Sequence, residues 1–572
     1  MSDRMEPLTQ EDGRSKDLVK QNVERLKQIF PEIVTDGKID FETLKEELGE
    51  FREVKDERYS FTWNGKSKAR KLAMEPSRGT LRPAPEESVN WDDTEHLFIE
   101  GDNLEVLKLL QRSYHKKVKM IYIDPPYNTG NDFVYSDDYR DNLSNYLKLT
   151  GQLDGDGKKI SSNPEYSGRY HTNWLNMMYP RLKLARELLT KDGVMFISID
   201  DNELERIVMV CNDIFGETNT DIYIWDVREE GTMPKTARNT VRKVHEYIIA
   251  VYKNSSDMNL KKYKSRKYKD KTDWTNPDDD PRGPWMSANI SRGPSESSGG
   301  ANSFVITNPA GIEFDRDWAI SKEEYQELLE DNRIYFANNG EGVPRKKIFK
   351  DDLIESTQSS VFEGLKSSQY GRKEIKEYIP EVDFDYPKPT ILIDRLIEIG
   401  SNDKSIIMDF FAGSGTTAHS TFNQNLKHGS NRKFIMIQLP EPLDKASDEY
   451  KAGYSDISDI AKVRIKESVE GIRISNPDYN GDLGFKVFKL DSSNIKPWDP
   501  SFNEVQLSIE DSIENIKPDR SEKDLLYEIL LKYGIDLSLP IEERTIDDSK
   551  VYIGGAGALV LCPSDNISLD VV

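Results

Sequence analysis

Cysteine is nearly absent: Cys211 and Cys562 are the only two in 572 residues. That excludes a disulfide framework and any cysteine-rich zinc site. Histidine is scarce as well, and His96, His115, His171, His245, His419 and His428 fall into no ligand spacing such as His-Glu-x-x-His. No apolar run approaches the roughly eighteen residues of a membrane span. The opening MSDRMEPLTQEDGRSKD holds no apolar segment of signal-peptide type. These absences predict a metal-poor protein of the cytoplasm. Positive charge is short too, 79 Lys and Arg against 102 Asp and Glu, for a formal net charge of −23. Taken alone, that balance disfavours a nucleic-acid partner. What is plentiful is aromatic surface: 8 Trp, 26 Tyr and 21 Phe, more than a disordered chain carries. The length suggests about three or four structural units.

Residues 1–95 read as a helical arm and a linker. Val19, Val23, Leu26 and Phe30 form one helix stripe ended by Pro31, and Phe41, Leu44 and Leu48 mark a second helix. Residues 74–93 hold three prolines and no periodicity, which predicts the linker. In 96–254 and again in 380–475 the pattern is short apolar runs alternating with helical segments. The runs are His96–Glu100, Val118–Ile123, Val194–Ile199, Ser405–Met408 and Lys433–Ile437. Such alternation predicts an α/β fold with a mostly parallel sheet covered on both faces. Tyr223–Trp225 and Tyr247–Tyr252 add an antiparallel hairpin at its edge. Between the halves, residues 255–379 are turn-rich and read as an inserted domain. Residues 476–572 are acidic and mixed, a separate α+β C-terminal unit.

Chemistry concentrates at two strand ends. Asp124-Pro125-Pro126-Tyr127 follows the run 118–123 directly. Two prolines leave carbonyls that can only accept hydrogen bonds, Asp124 adds a carboxylate, and Tyr127 offers a flat ring. Acceptors converging beside a ring suit a planar substrate with an exocyclic amine, such as a purine. The second stretch, Asp409-Phe410-Phe411-Ala412-Gly413-Ser414-Gly415-Thr416-Thr417, places glycines at a strand-to-helix turn, where backbone can approach a ligand closely. It lacks the third glycine of a dinucleotide fingerprint and the Gly-Lys-[Ser/Thr] of an ATP-binding P-loop.

Together the two motifs resemble the amino-group DNA methyltransferases that use S-adenosylmethionine. The Asp-Pro-Pro-Tyr precedes the glycine motif, the order of the β-class, in which a target-recognition domain interrupts a Rossmann-like methyltransferase core. The segments 96–108, 121–139 and 174–216, Tyr386-Pro-Lys-Pro389 and 432–441 extend the likeness. They are similar to the modification subunits of bacterial type III restriction–modification systems, across about 55–255 and 380–475.

The resemblance implies roles. Asp124 and the Pro125 carbonyl would accept from the adenine amine, with Pro126 shaping the loop and Tyr127 stacking on a flipped base. Phe411, Ala412, Gly413, Gly415 and Thr416 would line the methionine end of the cofactor, and Asp409 and Phe410 count among the cofactor-binding residues. Asp102 would meet its adenine, and Lys388 would lie near its carboxylate. An acid commonly ends the strand after the glycine helix; here that place is Gln438, with Glu441 three residues on, and either could bond the ribose. Asp rather than Ser at 124 implies adenine as the target. The likeness also implies a homodimer and a separate ATP-dependent restriction subunit. Double-stranded DNA as substrate requires a local offset to the −23. Residues 241–271 supply ten Lys and Arg against three acids, among them Arg242, Lys243, Lys261, Lys262, Lys264, Arg266, Lys267 and Lys269. Sequence readout would fall to the insert. An orphan DNA methyltransferase, a non-catalytic specificity subunit and an RNA methyltransferase stay open as alternatives.

Overall fold

The structure, a computed structural model, describes residues 18–35, 38–49, 61–129, 170–228, 243–265, 274–293, 300–350, 352, 354–496, 516–547, 549–557 and 559–563. The chain divides into two compact units, residues 1–261 with 359–572, and residues 262–358. No described helix is long and apolar enough to cross a membrane.

The first unit is built on a ten-stranded sheet. In chain order its strands are β1 (Gly79–Pro83), β2 (Leu97–Glu100), β3 (Val118–Ile123), β4 (Leu189–Ile199), β5 (Thr220–Asp226), β6 (His245–Tyr252), β7 (Val361–Phe362), β8 (Ile406–Asp409), β9 (Lys433–Gln438) and β10 (Lys486–Ser492). In space the order is β7-β5-β6-β4-β3-β8-β9-β2-β10-β1. The six central strands from β4 to β10 run parallel, β6 is antiparallel to both neighbours, and β1 is antiparallel to β10. This is the mostly parallel α/β sheet with an antiparallel hairpin that the apolar runs predicted. All six residues of β3 are buried, as a central strand covered on both faces requires.

Among the described residues, the longer helices of this unit are α1 (Leu18–Ile29), α2 (Phe41–Glu47), α3 (Lys66–Met74), α4 (Asn103–Tyr114), α5 (Tyr170–Leu188), α6 (Leu204–Phe215), α7 (Ser368–Tyr378), α8 (Thr390–Gly400), α9 (Thr416–His428), α10 (Ile457–Ser475) and α11 (Glu522–Tyr533). One group of mutually packed helices joins α3, α4, α5 and α6, and another joins α8, α9 and α10. Both sides of the sheet thus lose water, and the main cluster of buried side chains runs through Leu104, Ile121, Trp174, Met195 and Phe410.

Three expectations about boundaries differ from the structure. The stretch read as a linker contains β1, whose Pro83 is tolerated because the strand lies at the sheet edge. The C-terminal region is no separate unit: β10 pairs in parallel with β2, and α11 packs on β1 and α4. The second compact unit is narrower than 255–379, because β7 pairs with β5 and α7 packs on α10.

That second unit, 262–358, has its own core of Ile290, Ile306, Trp318, Ile320, Tyr325 and Ile334. Its described residues form a three-stranded antiparallel sheet (Trp285–Asn289, Pro344–Phe349, Ile334–Phe336), a hairpin (Ser303–Thr307 with Glu313–Asp317) and the helix Lys322–Glu330. Its two ends are joined by the pairing of Tyr263–Ser265 with Ile354–Ser356.

Candidate active site

The order of the sheet fixes where a ligand can lie. From β8 the chain crosses through α9 to β9 on one side, whereas from β3 it continues through α5 to β4 on the other. At such a reversal the crossovers diverge and a crevice opens at the carboxyl ends of the two strands. Asp124 follows β3 and Phe410–Thr416 follow β8, and the two strands are hydrogen-bonded neighbours. One inter-strand spacing of about 4.8 Å therefore separates the two motifs at their roots.

Pro126, Tyr127 and Asn128 of the proline loop are each held by a partner far away in sequence. The Trp174 indole N–H donates to the Pro126 carbonyl at 2.7 Å. Asn128, in the left-handed region at φ 57°, donates its amide to Glu203 at 2.6 Å. His171 meets the same fully buried carboxylate, also at 2.6 Å. The Tyr127 hydroxyl donates to Glu246 of β6 at 3.1 Å. Burial, with Asp124 and Glu246 nearby, holds that phenol well above its usual range and so neutral.

Lys388 closes the group. It lies in the segment between α7 and α8, and its ammonium donates to both Asp124 oxygens at 2.8 Å. It also sits 3.9 Å from Glu246 and 4.9 Å from the centre of the Tyr127 ring. Its side chain is 5% exposed. Burial alone would lower its pKa, but Asp124 and Glu246 raise it above the ordinary lysine value. Two contacts seat the segment: Thr416 donates to the Lys388 carbonyl at 3.3 Å, and Gly371 lets the Pro387 carbonyl lie where a Cβ would otherwise stand.

The glycine turn is anchored from beneath. Gly413 and Gly415 adopt φ 53° and 79°, a region most residues avoid. Asp409 accepts from the Phe411 N–H at 3.0 Å and from Thr417 at 2.6 Å. The Phe410 carbonyl accepts from Asn103 at 2.7 Å. Arg464, fully buried on α10, donates to Ser414 at 2.8 Å and Thr416 at 2.6 Å. Gln438 accepts from the Gly413 N–H at 2.7 Å, and Asp102 caps α4 by accepting from the Glu105 N–H at 3.0 Å.

The structure thus brings Asp124, Pro125, Pro126, Tyr127 and Lys388 together on one side of β8. Phe411, Ala412, Gly413, Gly415, Gln438 and Asp102 lie toward β9 and β2. Asp409 and Phe410 are 2% and 0% exposed, and they brace the turn from inside instead of lining the crevice. Lys388, expected beside a cofactor carboxylate, pairs with Asp124. Of the basic candidates, Lys243 pairs with Asp201 at 2.7 Å and Lys261 lies 3.9 Å from Asp403. Lys262 is exposed at the start of the second unit, and Lys264 pairs through its backbone with Glu355. Arg242, Arg266, Lys267 and Lys269 lie outside the described residues. Sequence reasoning missed Glu246, Arg464, Trp174 and Glu203 as parts of this site. No local spacing marks them, because each meets its partner only from a distant part of the chain.

Comparison with known proteins gives a consistent picture. The DNA methylase family profile matches residues 118–443, more than half of the chain. The chain is 35% identical over 445 residues to the type III restriction-modification enzyme StyLTI Mod subunit of Salmonella typhimurium. It is 31% identical over 558 residues to the EcoP15I Mod subunit of Escherichia coli and 31% over 478 residues to the EcoPI Mod subunit of Escherichia phage P1. These alignments cover 76%, 90% and 76% of this chain, and 66%, 83% and 72% of the relatives.

Proposed function

The chain belongs to the DNA methylases, among the modification subunits of type III restriction–modification enzymes, and on that premise we propose how its site works. It is a site-specific DNA methyltransferase that methylates the N6 amine of adenine. One observation carries the assignment of residues: the Asp124 carboxylate and the glycine turn stand at the ends of adjacent parallel strands. An acceptor of amine hydrogens and a backbone cradle are thereby one strand apart.

The crevice fits S-adenosylmethionine. Asp102, the glycine turn and Gln438 end three neighbouring strands, β2, β8 and β9, spanning about 10 Å by two strand spacings, the reach of a nucleoside with an amino-acid tail. A Cβ at Gly413 would meet nothing nearer than 3.8 Å, so the outer face of the turn is open. Phe411, Ala412, Gly413, Gly415 and Thr416 would hold the methionine end, Asp102 the adenine amine, and Gln438 or Glu441 the ribose. Held there, S-adenosylmethionine would supply an activated methyl group to the amine nitrogen, with the C–S electron pair remaining on sulfur and the displaced amine proton passing to solvent.

Asp124 and the Pro125 carbonyl accept from the target amine, aligning its lone pair and strengthening as positive charge develops on nitrogen. The Pro126 carbonyl is already held by Trp174, which fixes the loop. Tyr127 stacks on the base. Because the amine is buried in a duplex stack, the adenine is flipped into the crevice. The second compact unit, 262–358, reads the DNA sequence, and the basic residues around 243–269 contact phosphates. The relatives' names, Mod subunits of restriction-modification enzymes, support a separate restriction subunit as partner; its dependence on ATP, and a homodimer in the cytoplasm, follow from the resemblance to that family.

Asp124→Ala tests the reading. With labelled S-adenosylmethionine and duplex DNA, we expect methyl transfer to fall at least about a thousandfold, roughly 4 kcal/mol at 1.4 kcal/mol per tenfold, while DNA binding stays within about threefold. Transfer at the wild-type rate would refute the mechanism. Single-molecule sequencing of DNA from cells expressing the wild type then reports base and site.

A further inference from the structure

We propose that Glu246 and Lys388 are a positioning pair that sets the orientation and net charge of the Asp124 acceptor, Lys388 by gripping the carboxylate and Glu246 by offsetting the cation that Lys388 brings. The inference rests on the reading of Asp124 as the residue that accepts the adenine amine.

The geometry is a closed circuit. Asp124 and Tyr127 come from the end of β3, Glu246 from β6 two strands away, and Lys388 from the segment before α8. Lys388 directs N–H groups at both Asp124 oxygens at 2.8 Å, so the carboxylate plane is fixed from two points. A carboxylate offers about four lone-pair positions, which leaves sites on Asp124 for an amine. Glu246 lies 3.9 Å from the same ammonium and accepts from the Tyr127 hydroxyl at 3.1 Å. The Tyr127 ring lies 4.9 Å below that ammonium. One carboxylate therefore braces both the ring that would stack on the base and the lysine that orients the acceptor.

The charge count explains why two acids are present. Methyl transfer builds positive charge on the amine nitrogen, and the acceptor must face it with negative charge. Asp124 with Lys388 alone is neutral and would stabilise that charge poorly. Adding Glu246 returns the group to a net −1 without loosening the grip on Asp124. Lys388 is 5% exposed, so water screens these charges weakly and each one counts. A lysine used only to bind a cofactor carboxylate would have no need of Glu246.

The count makes an unusual forecast for a double variant. Glu246→Gln leaves Asp124 and Lys388 neutral overall, and Lys388→Met leaves a net −2. The double variant restores −1. Single-turnover methyl transfer, with duplex DNA and S-adenosylmethionine saturating, should fall about tenfold or more in Glu246→Gln, with the KM for S-adenosylmethionine unchanged within about twofold. The double variant should transfer faster than Glu246→Gln, although it carries one more lesion. Glu246→Asp, which keeps the charge, should lie between wild type and Glu246→Gln, and thermal unfolding of each variant reports folding. A wild-type rate in Glu246→Gln, or a double variant as slow as the product of the two singles, overturns the proposal. Asp124→Ala run alongside separates the two failures. If it stays active, the reading of Asp124 is wrong; if it is dead while Glu246→Gln is normal, only the positioning pair is wrong.

Discussion

Asp409 shows what a buried acid does when it serves structure instead of substrate. Burial pushes its pKa up to about 7, against the lowering effect of the bonds from Thr417 and the Phe411 N–H. A carboxyl raised above its unfolded value of 3.8 keeps its proton in the folded state, and unfolding releases that proton. Its contribution to stability is therefore greatest below about pH 4, falls as the pH climbs to about 7, and is level above. Asp394, also raised to about 7 by burial, adds a slope of the same sign in the same window. Asp409→Asn keeps the shape and removes one of the two. The variant should gain on the wild type between pH 4 and pH 7 by on the order of a few kcal/mol and no further above; urea midpoints at pH 4.5, 6 and 8 measure it. A gap that does not change with pH would show that Asp409 is charged in the fold.

The same scale explains what could be read from the chain beforehand. Asp124, Tyr127 and the glycines of 413–415 were legible because their chemistry sits in consecutive residues after apolar runs. Lys388 was legible as a site residue but not as a partner of Asp124, which lies 264 positions away. Glu246 offered no sign at all. A carboxylate in His-Glu-Tyr, just ahead of the apolar run Ile248–Val251, looks like the start of any buried strand until β6 is placed beside β4.

Among the elements, the turn from β8 into α9 is the most exacting. Gly415 has φ 79°, and an added Cβ would stand 3.2 Å from Ile465 and 3.3 Å from the Ala461 carbonyl on α10. Left-handed backbone costs a residue with a Cβ about 1–2 kcal/mol, and the helix behind it cannot yield freely. Gly415→Ala should lower stability by about 2 kcal/mol and abolish the rise in melting temperature expected of the wild type on adding S-adenosylmethionine. Retention of that rise would mean the cofactor does not lie on this turn. Element boundaries were less readable than motifs. β1 reads Gly-Thr-Leu-Arg-Pro, and no single-strand pattern distinguishes it from a loop. Only the antiparallel register with β10, Leu81 opposite Leu490, makes it a strand.

For the whole molecule, the ends of the second unit matter most. Tyr263 and Ser356 are register partners, so the chain leaves and re-enters that unit at about 5 Å between Cα atoms. Replacing residues 263–356 by a short Gly-Ser linker should leave the ten-stranded sheet folded, since none of its strands lies within them. We expect the shortened protein to keep its melting-temperature response to S-adenosylmethionine and to lose site-specific methylation of DNA. Methylation at the original site would move sequence readout out of that unit. The net charge of −23 proves a poor guide at this scale, since the chain belongs to a family that acts on DNA.

The adjacency of β3 and β8 also sets a timetable for the ribosome. The two central strands lie close to three hundred residues apart in sequence, and synthesis at about 5–20 residues per second separates their emergence by roughly 15–60 s. During that interval β3, buried on both faces in the finished protein, has an open edge and no partner on that side. A nascent chain therefore carries Asp124, the proposed amine acceptor, without the glycine turn proposed to hold the methyl donor. On that reading, synthesis interrupted before β8 should leave a fragment unable to mark DNA, and only ribosomes that have passed the second half of the sheet should release a working enzyme.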